Sequence, residues 1–326
     1  MLKGREKMLD SPMDALHQFP VRKTGKQKLE FRNAVEQYAR NLGYNVSVEK
    51  GSLGCHNVVI GDAKAAKFLV TAHYDTCARL PFPNLITPCN LFLFLLYQIV
   101  ITLVLFVLPA VPAVAVGIFA KSFEVGYLIW YMGLITELIL MYVGPANKHN
   151  VNDNTSGVVT VLEIMKALPV DLRNDVCFVL FDLEEAGLIG SSSYRSTHKN
   201  DVKKQLILNL DCVGEGDEIL LFPGGKARKN NAAMACLKSM TVRKDEKQIY
   251  VRDRGFSFYP SDQCNFPYGV GIAALNRSRL GLYLGRIHTP KDTILDEANV
   301  NLLCESLIKM MGNALNQERN ENYETI

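Results

Sequence analysis

Residues 176–191 read VCFVLFDLEEAGLIGS, and this stretch decides how the rest of the chain is interpreted. Its first five residues form an apolar run that predicts a buried strand. Glu184 and Glu185 follow where that strand ends. Two adjacent carboxylates resist being ionised together, so a bound cation would explain them, with one glutamate as ligand and the other as proton carrier. A solvated surface pair is the common alternative, and the pair alone does not exclude it.

Composition limits the classes of protein that the chain can belong to. Its 326 residues suffice for one large domain or two smaller ones, and a net charge of +3 gives no reason to expect a nucleic-acid partner. The 8 cysteines form no Cys-x-x-Cys pair, so they predict neither a zinc knuckle nor a thioredoxin-like motif. Scattered cysteines favour a reducing compartment. The first twenty residues lack the apolar core of a signal peptide, so we expect none.

A long apolar segment interrupts an otherwise soluble pattern. No charged residue occurs from Leu80 to Ala120, and a second apolar run, residues 125–143, contains only Glu137. About 20 apolar residues cross a bilayer core, so residues 85–144 predict a transmembrane hairpin with spans at about 91–110 and 125–143. Pro109 and Pro112 mark the end of the first span or a kink in it, and Glu137 should face protein. A buried helical hairpin or an apolar dimerisation insert is the alternative, but soluble cores rarely run so long without a charge.

The flanking segments alternate between helical and strand patterns, which predicts an α/β fold with a mostly parallel or mixed sheet. Helical spacing covers residues 26–42, 158–168, 232–240 and 298–315. Strands or short apolar runs cover residues 45–49, 57–60, 67–71, 176–180, 206–210, 218–222, 272–275 and 280–284.

Candidate metal ligands follow several of these apolar runs. They are His73 and Asp75, Glu184 and Glu185, Asp211, and His288. In α/β sheets, ligands bind in the crevice at the carboxyl ends of the strands, so these side chains should converge there. Mixed nitrogen and oxygen ligands suit Zn²⁺ or a similar metal. The set is large for one ion, whereas two ions about 3.5–4 Å apart, bridged by a carboxylate, would use all of it.

Five motifs in order resemble those of the M28 zinc metallopeptidases, which are co-catalytic aminopeptidases and related carboxypeptidases. They are His73-Tyr74-Asp75, Asp153-Asn154-Thr155-Ser156-Gly157, Glu184-Glu185, Asp211 and the segment 286–293, RIHTPKDT. The resemblance spans roughly residues 20–84 and 145–315. It implies a three-layer α/β/α fold with a mixed, mostly parallel central sheet. The catalytic domain would be discontinuous, formed by residues 1–84 and 145–326 and interrupted by the hairpin of residues 85–144.

The resemblance also implies a role for each motif residue. His73 and Asp211 would bind one zinc ion, Glu185 and His288 the other, and Asp153 would bridge them, with the peptide bond after Asp153 often cis. Glu184 would be the general base and acid. Asp75 would hold the His73 ring, and Asp292 would do the same near His288. The chemistry fits these residue types, since a water shared by two zinc ions yields hydroxide near neutral pH and a neighbouring carboxylate can pass its proton to the leaving amine.

Substrate contacts are less determined by the sequence. Asp262 resembles a residue that faces the substrate and could bind an α-amine, but it is equally well explained as the cap of a short helix. Arg286 could bind a substrate carboxylate, which leaves carboxypeptidase or dipeptidase action open. The leading expectation is a membrane-anchored, zinc-dependent aminopeptidase with two zinc ions, which removes N-terminal residues from peptides. The alternatives are a glutaminyl-cyclase-like acyltransferase with one zinc ion and a non-enzymatic membrane scaffold.

The inserted hairpin departs from the family pattern, because soluble members have a short connection between the segments of Asp75 and Asp153. The active site should therefore lie near the bilayer surface, on a protein that crosses the cell membrane twice and could form homo-oligomers through the hairpin. We expect a cytoplasmic catalytic domain, since free cysteines are numerous and Arg79 and Lys148 flank the hairpin, although Lys121 lies in the opposite loop.

Overall fold

A mixed β-sheet forms the centre of the fold. The computed structural model describes residues 7–82, 84–253 and 255–323, with side chains up to residue 320. Within these residues the strands are β1 Val46–Lys50, β2 His56–Ile60, β3 Phe68–His73, β4 Val176–Phe181, β5 Leu206–Leu210, β6 Glu218–Pro223, β7 Val242–Lys244, β8 Lys247–Val251, β9 Gly269–Ser278 and β10 Gly281–Tyr283. Their order is β1-β2-β4-β3-β5-β9-β6-β8-β7, and β10 pairs with β9.

The centre of the sheet is parallel and its margins are largely antiparallel. Strands β4, β3, β5 and β9 run parallel to one another, whereas β2 joins β4 and β6 joins β9 in antiparallel pairs. Parallel strands end at the same edge of the sheet, so the segments that follow β3, β4 and β5 meet there. The mixed α/β sheet expected from the sequence is confirmed.

Helices cover both faces of this sheet. The helices of the described residues, among them α3, α4 and α5 of the apolar insertion, are α1 Asp14–Gln18, α2 Gly25–Asn41, α3 Leu91–Val107, α4 Ala110–Ala120, α5 Phe123–Val143, α6 Gly157–Ala167, α7 Ile189–Thr197, α8 Gly225–Lys229, α9 Asn231–Lys238 and α10 Glu297–Tyr323. Alternate residues of β4 point to opposite faces: Phe178 and Leu180 join the core under α2, α6 and α10, and Val179 and Phe181 join the core with Tyr194 of α7. Full burial of each such side chain contributes about 1.5–3 kcal/mol, so the period-two pattern fixes the three-layer arrangement.

The apolar insertion forms α3, α4 and α5, which project from the catalytic domain. No side chain of α3 or α5 is buried. The first apolar run breaks at Pro109, which lacks an N–H group, and the Trp130 indole donates a 3.0 Å hydrogen bond to the Phe106 carbonyl beside the break. Helix then resumes to Ala120, so the first span, predicted at about residues 91–110, is followed by another helix within the same apolar run. Small residues let α4 approach α5, since a Cβ on Gly126 would lie 3.1 Å from the Ala113 carbonyl oxygen.

Two further features differ from the sequence-based expectations. The strands β7 and β8 form an antiparallel hairpin at the sheet margin that the apolar pattern does not indicate, because β7 is exposed along its length. The last helix runs to Tyr323 rather than ending at residue 315. Both lie away from the edge of the sheet where β3, β4 and β5 end, so neither alters the site.

Candidate metal centre and catalytic residues

Three neighbouring strands deliver most of the candidate ligands. His73 is the last residue of β3 and pairs with Phe181, the last residue of β4. Glu184 and Glu185 lie in the turn after β4, and Asp211 directly follows β5, which is on the other side of β3. His73 therefore lies between the two acidic segments, at the edge of the sheet where the strand pattern placed all three.

Asp153 lies between two histidines that come from opposite ends of the chain. One of its oxygens, Oδ1, is 3.2 Å from His73 Nε2, and the other, Oδ2, is 3.0 Å from His288 Nε2. His73 Nε2 is also 3.8 Å from Asp211 Oδ1, and His288 Nε2 is 3.4 Å from Glu185 Oε2. The structure thus brings together all five residues expected to bind metal, in two sets that share Asp153.

The pKa values of these groups show how much negative charge the site concentrates. Burial and the nearby carboxylate of Asp153 raise the pKa of Glu185 to about 8. Burial lowers the pKa of His288, but the facing carboxylates of Glu185 and Asp153 raise it overall, to about 9. Burial would raise the pKa of Asp153, but its contacts with His288 and His73 hold that pKa below its usual value. Burial would lower the pKa of His73 too, but the facing carboxylates, that of Glu184 first, outweigh it and raise that pKa well above its usual value.

A metal ion fits this arrangement better than protons do. Donor atoms of His73, Asp153 and Asp211 lie within 4.8 Å of one another, and so do those of Cys77, Glu185 and His288. Glu185 Oε1 is buried and, within the described residues, accepts no hydrogen bond. Buried carboxylates without partners are costly unless they coordinate a cation, and imidazole with carboxylate is a donor set that zinc accepts.

Glu184 lies beside both sets of ligands. Its carboxylate approaches His73 and Glu185, within 4.8 Å of a donor atom of each. It also lines a crevice of about 450 Å³ together with Asp153, Asp211 and His288. Burial, with the neighbouring carboxylates of Glu185 and Asp262, raises the pKa of Glu184 well above its usual value. A carboxylate that lines the crevice and has a raised pKa can accept and release a proton there, as a general base and acid must.

Asp75 fixes the turn that carries both glutamates. Its Oδ1 accepts a hydrogen bond from the Glu184 backbone N–H at 3.1 Å, and its Oδ2 accepts one from the Glu185 N–H at 3.2 Å. Oδ1 also lies 3.4 Å from Nδ1 of the His73 ring. Leu183, just before the glutamates, has a φ of +55°, a conformation that costs a non-glycine residue energy and needs such support. Asp75 therefore holds the Glu184–Glu185 backbone, and its carboxylate lies beside the His73 ring, whose Nδ1 makes no hydrogen bond within the described residues.

Asp292 supports the bridging residue rather than the second histidine. Its Oδ1 accepts from the Asn152 N–H at 2.6 Å, and its Oδ2 accepts from the Asp153 N–H at 3.1 Å. Among the described residues its carboxylate makes no hydrogen bond to the His288 ring, where the resemblance placed it. The loop after β10 meets the backbone of the segment Val151–Ser156, since the Val151 N–H also donates to the Asp292 carbonyl at 3.3 Å.

The segment around Asp153 is joined to the strand end that carries Asp211. Asn154 Nδ2 donates to the Leu210 carbonyl at 2.9 Å, and Asn154 Oδ1 accepts from the Cys212 N–H at 3.2 Å. The peptide bond between Asp153 and Asn154 is cis, as the resemblance implied. Gly157 has no room for a side chain, because a Cβ would collide with the Leu210 carbonyl. These contacts set the spacing between Asp153 and Asp211.

The two predicted substrate contacts lie outside the lining of the crevice. Asp262 is fully buried at the start of a short 3-10 helix, and within the described residues neither of its oxygens makes a hydrogen bond. Burial raises its pKa to about 7. Arg286 is half-exposed, and its Nη1 lies 3.2 Å from Glu215 Oε1. An arginine already paired in this way, away from the crevice, gives no support to the proposed carboxylate anchor.

Sequence reasoning missed three residues that border the site. Cys77 is buried beside Glu185 and His288, Tyr259 lines the crevice and donates to the Asp211 carbonyl at 3.1 Å, and Tyr142 at the end of α5 also lines it. Only Cys77 had a sequence signal, since it follows His73 and Asp75 by a few residues. The other two depend on how distant segments pack.

Comparison with solved structures shows the fold. The LapA aminopeptidase of Legionella pneumophila aligns with a TM-score of 0.56 and 14% identity, over 95% of this chain and 72% of that chain. A glutaminyl cyclase of Macrostomum lignano aligns with a TM-score of 0.55 and 12% identity, over 97% of this chain and 96% of that chain. At such identities the likeness concerns the fold alone. A comparison with curated protein sequences finds no match.

The family model for peptidase family M28 matches residues 141–305. That region carries Asp153, both glutamates, Asp211 and His288, and it omits His73, which the insertion separates from the rest. The match covers 165 of 326 residues, counted from 141 to 305, which is just over half of the chain. Since the match includes four of the five residues that converge on the site, the chain belongs to peptidase family M28.

Proposed function

We propose that the protein is a membrane-anchored, zinc-dependent exopeptidase that removes N-terminal residues from peptides. The observation that carries this proposal is the position of Asp153, whose two carboxylate oxygens face His73 and His288 at 3.2 Å and 3.0 Å. A carboxylate shared in this way by two sets of ligands is what a pair of metal ions requires.

The residues present divide the work as follows. His73 and Asp211 would hold one zinc ion, Glu185 and His288 would hold the other, and Asp153 would contribute to both. When bound, zinc polarises the scissile carbonyl and acidifies a water molecule. Glu184 takes the proton from the attacking water and delivers it to the leaving amine. Asp75 and Asp292 keep the turn after β4 and the Asp153 backbone in place through the hydrogen bonds described above.

The lining of the crevice favours an aminopeptidase over a carboxypeptidase. Within the described part of the chain no lysine or arginine lines it, whereas several carboxylates do. Three of these four carboxylates are the proposed metal ligands, whose charge bound zinc would balance, so the preference rests on the lack of a cationic side chain: among the described residues, the lining offers no lysine or arginine that could hold a substrate carboxylate. Asp262, which helps to raise the pKa of Glu184, is a further carboxylate near the crevice that is not a proposed metal ligand.

A glutaminyl-cyclase-like acyltransferase with one zinc ion is the second candidate. The likeness of the fold to the Macrostomum lignano enzyme, with a TM-score of 0.55, is the observation that favours it. The second set of ligands, Glu185 and His288, weighs against a single ion, because it would then leave a buried carboxylate without a cation.

Two measurements on the detergent-purified protein test the proposal. Metal analysis should give about two zinc ions per chain, and about one would support the cyclase instead. A mixed peptide library, digested with and without chelator and sequenced from both ends, should be trimmed only at N-termini and only without chelator. Trimming at C-termini would overturn the aminopeptidase assignment, and intact peptides at full metal load would overturn the peptidase function.

We propose that α3, α4 and α5 anchor the protein in a membrane. Residues Leu91–Ala120 and Phe123–Val143 are long and apolar enough to cross a bilayer, and the most apolar 18-residue window of each has no buried residue. A core helix of a soluble protein would be mostly covered. The protein should therefore stay in the membrane pellet after alkaline carbonate extraction, and release into the supernatant would refute the anchor. Oligomerisation through the hairpin remains a prediction.

The cytoplasmic orientation of the catalytic domain is likewise a proposal. Of the cysteines, Cys264 is exposed and Cys55 is buried, so Cys264 is the better reporter. In intact cells an impermeant maleimide should leave Cys264 unlabelled and should label a Lys121→Cys variant at the opposite end of the hairpin. The reverse pattern would show that the catalytic domain faces outward.

A further inference from the structure

A second cavity of about 220 Å³ adjoins the crevice at Glu185 and His288. Half of its wall comes from the inserted hairpin: Tyr97, Gln98 and Ile101 of α3, and Met141 and Tyr142 of α5. The other half comes from the catalytic domain and includes Leu80 and Phe82. Apart from Glu185 and His288, no charged residue lines it within the described chain. The hairpin therefore forms part of the wall next to the candidate metal centre.

Exposure along α3 shows which face of the helix turns toward the domain. Phe94, Tyr97, Ile101 and Leu105 recur at helical spacing and are half-buried, whereas Ile99 on the other side is 57% exposed. The Phe94 ring packs edge-on against Phe258 of the catalytic domain at 6.1 Å between centroids.

Both ends of the hairpin are fastened to the catalytic domain. Asn90, which caps α3, donates to the Leu280 carbonyl at 3.1 Å. At the end of α5, Lys23 donates to the Tyr142 carbonyl at 2.9 Å, and the Arg79 N–H donates to the Pro145 carbonyl at 2.8 Å. The cavity is therefore held between two fixed helix ends.

The first apolar run is long enough both to cross a bilayer and to contact the catalytic domain. The run Leu91–Ala120 has 30 residues, which at about 1.5 Å per residue is about 45 Å, longer than the roughly 30 Å of a bilayer core. The first eleven residues, up to Ile101, can therefore stand beside the catalytic domain while the remainder spans the membrane. This places the cavity at the level of the bilayer surface.

We propose that this cavity is a substrate subsite, built by the membrane hairpin, that takes a large apolar side chain next to the scissile bond. The proposal rests on the proposed function and adds a substrate class, peptides whose N-terminal residue is the size of leucine or phenylalanine. Burial of an apolar group there is favourable, and burial of a charged group is costly because no counter-charge is available beyond the metal ligands. The hairpin thereby acts as part of the binding site as well as an anchor.

The test fills the cavity from the hairpin side. Ile101→Trp should lower kcat/KM about tenfold or more for a peptide beginning with phenylalanine, and should leave the same peptide beginning with alanine within about threefold of wild type. Ile99→Trp, on the exposed side of the same helix, is the matched control and should change neither. Equal losses for both peptides, no loss for either, or the same loss in the control would overturn the subsite.

A binding measurement separates the subsite from the proposed function. The zinc-loaded protein is titrated with phenylalanine hydroxamate and with glycine hydroxamate in a calorimeter. The wild type should prefer the phenylalanine compound by about tenfold or more, and Ile101→Trp should remove that preference. If no peptide is hydrolysed but the preference is present and is lost in the variant, the peptidase function fails and the subsite stands. If peptides are hydrolysed without any such preference, only the subsite fails.

Discussion

Glu184 and Glu185 are adjacent in sequence but are proposed to have different roles. Glu185 Oε2 lies 3.4 Å from His288 Nε2, as one ligand lies beside another, whereas Glu184 lines the crevice in front of both histidines. We therefore expect Glu184→Gln to keep both zinc ions and lose activity by about 100-fold or more, because the amide cannot take up the proton. Glu185→Ala should lose metal. Metal content per chain and kcat, measured on the same preparations, check both.

A third glutamate provides the control for this pair. Glu163 on α6 is half-buried and lies outside the crevice, so Glu163→Gln should keep its metal and its activity. Near-wild-type turnover of Glu184→Gln with metals bound would show that another group moves the proton. Full metal content in Glu185→Ala would remove Glu185 from the ligands.

The residues that the sequence could identify are those whose position follows from local pattern. His73, both glutamates and Asp211 each follow a buried strand, and parallel strands deliver such residues to one edge. The role of Asp292 could not be found in this way, because its hydrogen bonds reach residues about 140 positions earlier in the chain. Tyr142 was hidden for the same reason, since its place depends on how α5 returns to the domain.

At the scale of elements, Asp75 connects the end of β3 to the turn after β4. Its two oxygens accept from the Glu184 and Glu185 N–H groups at 3.1 Å and 3.2 Å. In Asp75→Asn one of these acceptors becomes an NH₂ group that faces a backbone donor. We expect zinc affinity to fall about 10- to 100-fold, the usual loss when a partner of a metal ligand is removed. Competition with a chelator measures it.

Asp62 offers a matched comparison for Asp75. It also accepts from two backbone N–H groups, those of Lys64 and Ala65, at 2.8 Å and 3.1 Å, but it is exposed and remote from the metal centre. Asp62→Asn should leave zinc affinity unchanged. Equal affinities for wild type and Asp75→Asn would show that the metal ligands hold the turn without Asp75.

Apolar periodicity located the helices of the soluble layers well and those of the hairpin poorly. In α2 and α6 a polar face defines the register and the ends, and both were predicted to within one residue. In a segment that is apolar all round, no face is marked, so the pattern cannot show where a helix stops. The break at Pro109 was predicted, but the continuation into α4 depends on the packing of Gly117 and Gly126, which the sequence pattern does not reveal.

For the whole molecule, the metal centre should make stability depend on pH when zinc is removed. The pKa of Glu185 is raised to about 8 by burial and by Asp153, so the metal-free folded protein holds a proton there that the unfolded chain, with a pKa of about 4.5, has released. Stability therefore falls as pH rises between those values. His288 acts in the same direction: burial opposes its charge, facing carboxylates raise its pKa to about 9, and its contribution is complete below about 6.5 and lost toward 9.

Other buried carboxyl groups reinforce that trend. Burial raises the pKa of Asp262 and that of Asp292 to about 7. The lowered pKa of Asp75, which burial opposes and His73 brings about, stabilises the fold above about pH 4 and adds no change between pH 6 and 8.5. Bound zinc opposes this loss of stability with rising pH. Its ligands bind as carboxylates and neutral imidazoles, so the protein binds zinc more tightly at higher pH.

The gap in melting temperature between zinc-loaded and chelator-treated protein should therefore widen as pH rises from 6 to 8.5. For a domain of this size about 1 kcal/mol corresponds to a shift of about 2–4 °C, so several coupled groups should widen the gap by at least about 5 °C. Thermal unfolding of the detergent-solubilised protein at both pH values, with and without chelator, measures it. A metal-free melting temperature that stays level or rises over this interval would mean that the buried carboxylates find partners other than metal.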